Sequence, residues 1–288
     1  MNLAFATDDV PEVRGRYADF AAIGWLAQRA LHQELQCYPK PGLVSPVDSG
    51  SHSDMDASTF IRSIAALSGY FPRIAAAGFA PFSELRVLGC VAERRMLRAT
   101  AGVNTHRGAI FHLGLLAAAA GALRSLRASV RERALGDYVR RQWGPAIIRH
   151  ASPGSHGQLM ARRYRAQGAR REAASGFPHV FDLGLPALRA SLARGADQLR
   201  ATVQCFFTLL AELSDTNLLY RGGPAGLGYA QAAAREFLAA GGVFQEAWGA
   251  QALALHREFV ARRLSPGGSA DMLAAVLFVY RLQERERA

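Results

Sequence analysis

Apolar positions along this chain recur at helical spacing, in Ala- and Leu-rich runs broken by Arg and Glu, and no run of β-branched residues alternates with polar ones. The pattern predicts helices over about 17–37, 56–77, 82–99, 108–142, 156–172, 185–213, 226–240, 242–264 and 269–284. Between them lie segments richer in Gly, Pro, Asn and Ser than a helix connection needs. They are PKPGLVSPVDSGSHSD (39–54), TAGVNTHRG (100–108), ASPGSHG (151–157), SGFPHVFDLGLP (175–186), DTNLLYRGGPAG (215–226) and SPGGSAD (265–271). No internal repeat or long linker divides the chain. The expectation is an all-α fold, a single compact multi-helix domain over 17–288 with functional inter-helix loops, preceded by a flexible segment 1–16.

Composition adds a location. Half of the 288 residues are apolar and the mean hydropathy is +0.02, enough for a sizeable core. The start, MNLAFATDDVPEV, is acidic where a secretory leader would be basic. The most apolar run, Leu113 to Leu123, is too short for a bilayer and is broken by Gly114 and Gly121. Cys37, Cys90 and Cys205 form neither a disulfide framework nor a zinc pattern, so a cytoplasmic protein is expected, without membrane contact.

Charge narrows the partners. The net charge is +11, and of the 34 basic residues all but Lys40 are arginines. That bias fits the codon habits of a GC-rich genome, which makes the one lysine notable. A compact point charge suits a phosphate reached without a planar fork. A basic balance favours anionic partners. The Arg-rich stretches 124–141, 162–171 and 257–263 have the apolar interleaving of solvated helix faces, and no RNA or DNA module accompanies them. A small polyphosphate ligand is preferred to nucleic acid.

Four regions carry candidate chemistry. Glu34 precedes Pro39-Lys40-Pro41-Gly42, a stiffened turn that is either a helix stop or a mount for Lys40. His52 and Asp54 stand two residues apart before the second helix, where Asp56 suits the N-cap. Glu93 leads into Asn104, Thr105, His106, Arg107 and Gly108, which place donors and a glycine at a helix N-terminus, a ready anion site. The segments Asp215, Asn217, Arg221, Gly222, Gly223 and Ser265, Gly267, Gly268, Asp271 are glycine-rich without a Walker A ending or a dinucleotide fingerprint. They either cradle phosphate or connect helices tightly.

Taken together these segments resemble the triphosphoribosyl-dephospho-CoA synthase family. The resemblance runs through Glu34, PKPGLV (39–44), GSHSDM (50–55), Glu93 with Met96, ATAGVNTHRGAIFHLGLL (99–116), SHG (155–157), Gly168-Ala169-Arg170, GFP (176–178), DTNLLYRGG (215–223) and SPGGSADML (265–273). The form PGLVSPVDSGSH resembles the malonate-decarboxylase branch more than the citrate-lyase branch.

The resemblance implies an all-helical transferase. ATP donates its 5-triphosphoribosyl group to the 2'-hydroxyl of 3'-dephospho-CoA, adenine leaves, and the product passes to a carrier-protein transferase. A homodimer stays open as the assembly state. The transition state of such a transfer is oxocarbenium-like. Glu34 or Glu93 then supplies the base, and Asp54 stabilises the sugar. His52 or His106 assists adenine. Asp54, Glu93 and Asp271 hold Mg²⁺ with the triphosphate, and Lys40, Arg107 and Arg221 neutralise phosphates. Two other readings remain: a Mg-dependent N-glycoside hydrolase of the ADP-ribosyl type, and a basic helical RNA-binding protein.

Overall fold

The computed structural model describes residues 10–150, 159–160, 163–164, 166 and 168–287, with side chains from residue 18 onward. No strand occurs among the described residues. The helices are α1 (Val10–Gln36), α2 (Ala57–Ala66), α3 (Tyr70–Ala76), α4 (Phe82–Ala99), α5 (Arg107–Ser125) and α6 (Ala134–Arg149). They continue with α7 (Gly168–Ala174), a π-helical turn (His179–Gly184), α8 (Leu185–Ala193), α9 (Gln198–Glu212), α10 (Thr216–Ala239), α11 (Trp248–Ala261) and α12 (Gly267–Arg287).

The most apolar segment becomes the centre of the molecule. Helix α5 is the described helix long and apolar enough to cross a membrane, yet it is largely buried inside the fold. It packs against α1, α3, α4, α6 and α12, and α12 packs in turn against α1 and α9. Its alanines and glycines let neighbours approach closely. A Cβ on Gly121 would stand 1.9 Å from the Ala75 carbonyl oxygen of α3. Fully buried Leu113, Leu116, Phe206, Phe207, Leu273 and Phe278 knit these helices into one core.

Boundaries shift where tertiary contacts overrule periodicity. The helix expected over 108–142 breaks after Ser125. There the Glu286 carboxylate accepts from Ser129 Oγ (3.0 Å) and the Val130 N–H (3.1 Å), and Gln283 donates to the Val130 carbonyl (2.8 Å). The one expected over 185–213 breaks at Gly195, whose φ is +87°. The loop expected over 215–226 is helical from Thr216, kinked at Gly223 (φ +60°) before Pro224. The segment 175–186, read as a loop, is mostly the π-helical turn and the start of α8. Helix α1 starts at Val10 rather than at 17, while residues 1–9 of the expected flexible segment lie outside the described residues. So do 151–158 and, within the helix expected over 156–172, residues 161, 162, 165 and 167.

Candidate active site

A cavity of about 1380 Å³ opens where α1, α4, α5, α7, α10 and α12 meet. It gathers Glu34, His52, Glu93, Asn104, Thr105, His106, Arg107, Gly108, Asp215, Asn217, Arg221, Ser265, Gly267, Gly268 and Asp271 from over two hundred residues of sequence. Lys40, Asp54, Gly222 and Gly223 are not part of its wall.

Lys40 sits behind the wall. Its ammonium is 1% exposed and donates to the Glu34 carboxylate and to the Glu34 backbone carbonyl near the end of α1. A cation there meets both the carboxylate and the carbonyl-rich helix end. Lys40, expected to reach a phosphate, here gives two of its three donors to Glu34, which itself faces the cavity and is 5% exposed.

The first turn of α5 is also claimed from within. The Asp271 carboxylate takes a hydrogen bond from the Ala109 backbone N–H, and a Cβ on Gly108 would lie 1.9 Å from Asp271 Oδ2. Asn104 Oδ1 accepts from the Arg107 N–H at 3.2 Å, while the Arg107 Nε donates to Glu93 at 2.6 Å. The anion expected at this helix start is therefore a side chain of the protein. Burial, with Glu34 and Asp215 nearby, pushes the Asp271 carboxyl well above the usual carboxylate range.

Asp215 is a clip. Its Oδ1 accepts from the N–H groups of Asn217 (2.9 Å) and Leu218 (3.3 Å), capping α10. Its Oδ2 accepts from the N–H (2.8 Å) and hydroxyl (3.0 Å) of Ser269 in α12. Four donors saturate this buried carboxylate, expected to bind substrate, and with them it joins two helix starts. Gly267 and Gly268 leave the space that Asn217 and Asp215 occupy, for a Cβ at either would meet Asn217 at 2.6 Å or Asp215 at 3.0 Å. Gly222 and Gly223 serve the kink of α10, where Gly222 abuts Leu264, and cradle nothing in the cavity.

At the start of α12, Arg221 Nη2 donates to His52 Nδ1 (3.1 Å), which leaves Nε2–H to donate to Ser265 Oγ (2.8 Å). Burial and then Arg221 push His52 down against the pull of Asp54, so the ring is neutral at neutral pH. Asp54, 3.5 Å from His52 Nδ1, is 60% exposed beside the cavity. The metal set Asp54, Glu93 and Asp271 does not converge, because Glu93 is paired with Arg107 and Asp271 sits on α5. No group of three His, Cys, Asp or Glu among the described residues is placed to hold a metal ion. Asp56 caps α2 through the Thr59 N–H (2.8 Å), as expected.

The cavity also holds residues not named as site candidates from the sequence. Arg86, His150, Arg170, Arg171 and His112 line it. The Arg170 Nε and Nη2 donate to the carbonyls of Ile147 (3.0 Å) and Ile148 (2.8 Å) at the end of α6. Burial, then Arg86 and Arg170, push His150 down. Glu172, 4% exposed, accepts from the His179 N–H (2.9 Å) and Nδ1 (2.7 Å), which raises the His179 pKa. Polar residues inside apolar stretches, such as His112 in GAIFHLGLL, are the sequence signal that pointed here.

The chain is similar in sequence to known proteins. The family model described as ATP:dephospho-CoA triphosphoribosyl transferase matches residues 20–288. A protein of Acinetobacter calcoaceticus, named a probable 2-(5''-triphosphoribosyl)-3'-dephosphocoenzyme-A synthase, is 39% identical over 91% of each chain. One of the same name from Stutzerimonas stutzeri is 41% identical over 97% of this chain and 96% of its own. The 2-(5''-triphosphoribosyl)-3'-dephosphocoenzyme-A synthase of Pectobacterium atrosepticum is 37% identical over 97% and 95%. No solved structure matches the chain. The chain belongs to the ATP:dephospho-CoA triphosphoribosyl transferase family of enzymes.

Proposed function

We propose that this cavity seats ATP and 3'-dephospho-CoA together and joins C1' of the ATP ribose to the 2'-hydroxyl of dephospho-CoA, releasing adenine. One observation carries the reading: a single cavity brings the carboxylates of Glu34 and Asp271 together with Arg86, Arg107, Arg170, Arg171 and Arg221. Along α12, Arg221, His52 and Ser265 stand at the helix start and Asp271 one turn on. Along α5, Asp271 meets the first turn, and Arg86, Arg170 and Arg171 line the wall beyond it. A volume of about 1380 Å³ exceeds the ~300–1,000 Å³ of ordinary single-ligand pockets.

ATP places its triphosphate on Arg221, Ser265 and the start of α12, where Gly267 and Gly268 bring backbone N–H groups to the cavity. Dephospho-CoA lays its diphosphate against Arg86 and Arg171, which directs its 2'-hydroxyl toward the carboxylates. Glu34, paired with Lys40, stabilises the cationic sugar. Asp271 is the proton acceptor, since its burial beside Glu34 raises its affinity for a proton. A Mg²⁺ ion would arrive on the triphosphate and keep most of its waters, with exposed Asp54 as its one protein ligand. That ion supplies neutralisation of phosphate charge.

The form of the 42–52 loop supports the malonate-decarboxylase branch, with the product passed on to a carrier-protein transferase, and consumption of ATP supports a cytoplasmic enzyme. The test is to incubate the protein with ATP, Mg²⁺ and dephospho-CoA and follow adenine by mass spectrometry. Adenine release that requires dephospho-CoA is expected. ADP and phosphate as main products, or free ribose 5'-triphosphate without dephospho-CoA, refutes the reading.

A further inference from the structure

His106 caps the start of α5 and is 3% exposed. Its Nδ1 lies 2.6 Å from Ser63 Oγ, and Ser63 Oγ accepts from Thr105 Oγ1 at 2.7 Å. With Thr105 donating to Ser63, Nδ1 is the acceptor that the described residues offer the Ser63 proton, and the ring then carries its own proton on Nε2. This Nε2 is buried without a partner among the described residues, in a side chain that lines the cavity. Burial, then Lys40 and His32, push the His106 pKa down to about 3, so the ring has no charge to give at neutral pH. Phe60 meets it edge-on, with centroids 4.9 Å apart. Between residues 38 and 66 the cavity wall is Leu43, Val44, Met55 and Phe60, with His52 the one polar member.

Apolar side chains beside a buried neutral N–H that has no partner among the described residues match a purine, which has apolar faces and acceptor nitrogens on its edge. We propose that this wall is the pocket for the purine base of the nucleotide donor. There the Thr105–Ser63 hydroxyl pair fixes His106 as the Nε2–H tautomer and aims that N–H at a ring nitrogen of the departing base. The role rests on the transfer reaction proposed above. As the C1'–O bond forms, the C1'–N9 bond breaks and its electron pair moves onto the purine. His106 keeps its proton and stabilises this charge through the hydrogen bond. The proton of the 2'-hydroxyl passes to Asp271 and through solvent to the released base. Ser63 touches no substrate and is a positioning residue.

Two measurements test this. Single-turnover base release is compared for ATP and 7-methyl-ATP, whose base already carries a positive charge and departs unaided. Ser63→Ala and Thr105→Val should slow ATP about tenfold or more, and His106→Ala about 100-fold. His106→Gln, which retains a donor near the Nε2 position, should recover part of the loss. All four variants should handle 7-methyl-ATP within about threefold of wild type. Equal slowing on both nucleotides, or no slowing on ATP, overturns the proposal. Independently of turnover, ¹⁵N NMR of histidine-labelled protein should find His106 protonated on Nε2, with that resonance shifting as adenine is added. A proton on Nδ1, or no shift at saturating adenine, overturns the pocket. Wild-type protein that releases no adenine from ATP and dephospho-CoA refutes the transfer reaction instead, and the adenine titration alone then decides the pocket.

Discussion

Replacing Lys40 by methionine keeps the length and apolar stem of the side chain and deletes its charge. The Glu34 carboxylate, 6% exposed, then loses its cation in a place water barely reaches. Removing one partner of a buried ion pair costs about 3–5 kcal/mol. At ~2–4 °C per kcal/mol for a chain of this size, the melting temperature should fall by roughly 6–20 °C. The stranded Glu34 should take up a proton more readily than in unfolded chain. Its folded pKa then lies above its unfolded one, so the variant is least penalised below the unfolded value and loses stability as pH rises through the folded value. Thermal unfolding followed by circular dichroism at pH 5 and pH 8 should therefore show a wider gap from wild type at pH 8. Adding Glu34→Gln should close most of the gap, because a neutral amide needs no counter-charge. Lys40→Arg should not restore wild-type stability, since a planar fork does not fit a site shaped for an ammonium. A Lys40→Met melting temperature within 2 °C of wild type at both pH values would refute the burial argument.

Asp271→Asn should lower kcat by about 10²- to 10⁴-fold while changing KM for ATP little, and the acid limb of the kcat profile should vanish; a profile of unchanged shape assigns the proton transfer elsewhere. Arg86→Ala should raise KM for dephospho-CoA about tenfold with little change for ATP, and equal effects on both substrates would remove the division of the cavity. The raised His179 pKa means that its pairing with Glu172 stabilises the fold below the ordinary histidine range and fades as pH rises through the folded value. Glu172→Gln should flatten that part of the stability curve, measured by urea unfolding between pH 5.5 and 9.

Sequence reading captured what depends on local chemistry. The helical period of Ala and Leu gave the fold class, and Asp56 was legible as a cap because its partner Thr59 lies three residues away. Loop glycines and polar clusters located the cavity, since Glu34, His52, Glu93 and the 104–108 turn do meet there. Pairings across the chain were not legible. Nothing near Lys40 in sequence says that its ammonium turns back to Glu34 rather than out to a ligand. Nothing near Gly108 announces Asp271, which reaches it from 163 positions away. Asp215 looked like a ligand because its other two donors come from Ser269. Arg107 could be matched only to nearby charges, whereas its partner Glu93 is set by how α4 crosses α5.

The position of α12 has a consequence for how the enzyme is made. This helix supplies Asp271, receives the Asp215 clip, packs on both α1 and α5, and through Glu286 ties down the turn after α5. On the ribosome the chain emerges from its N-terminus, so α1 and α5 wait with bare apolar flanks until residues 267–287 have left the exit tunnel. Folding of the centre thus waits for α12. At ~5–20 residues per second, the ~140 residues between α5 and α12 impose a delay of several seconds to half a minute, during which a chaperone has an obvious client.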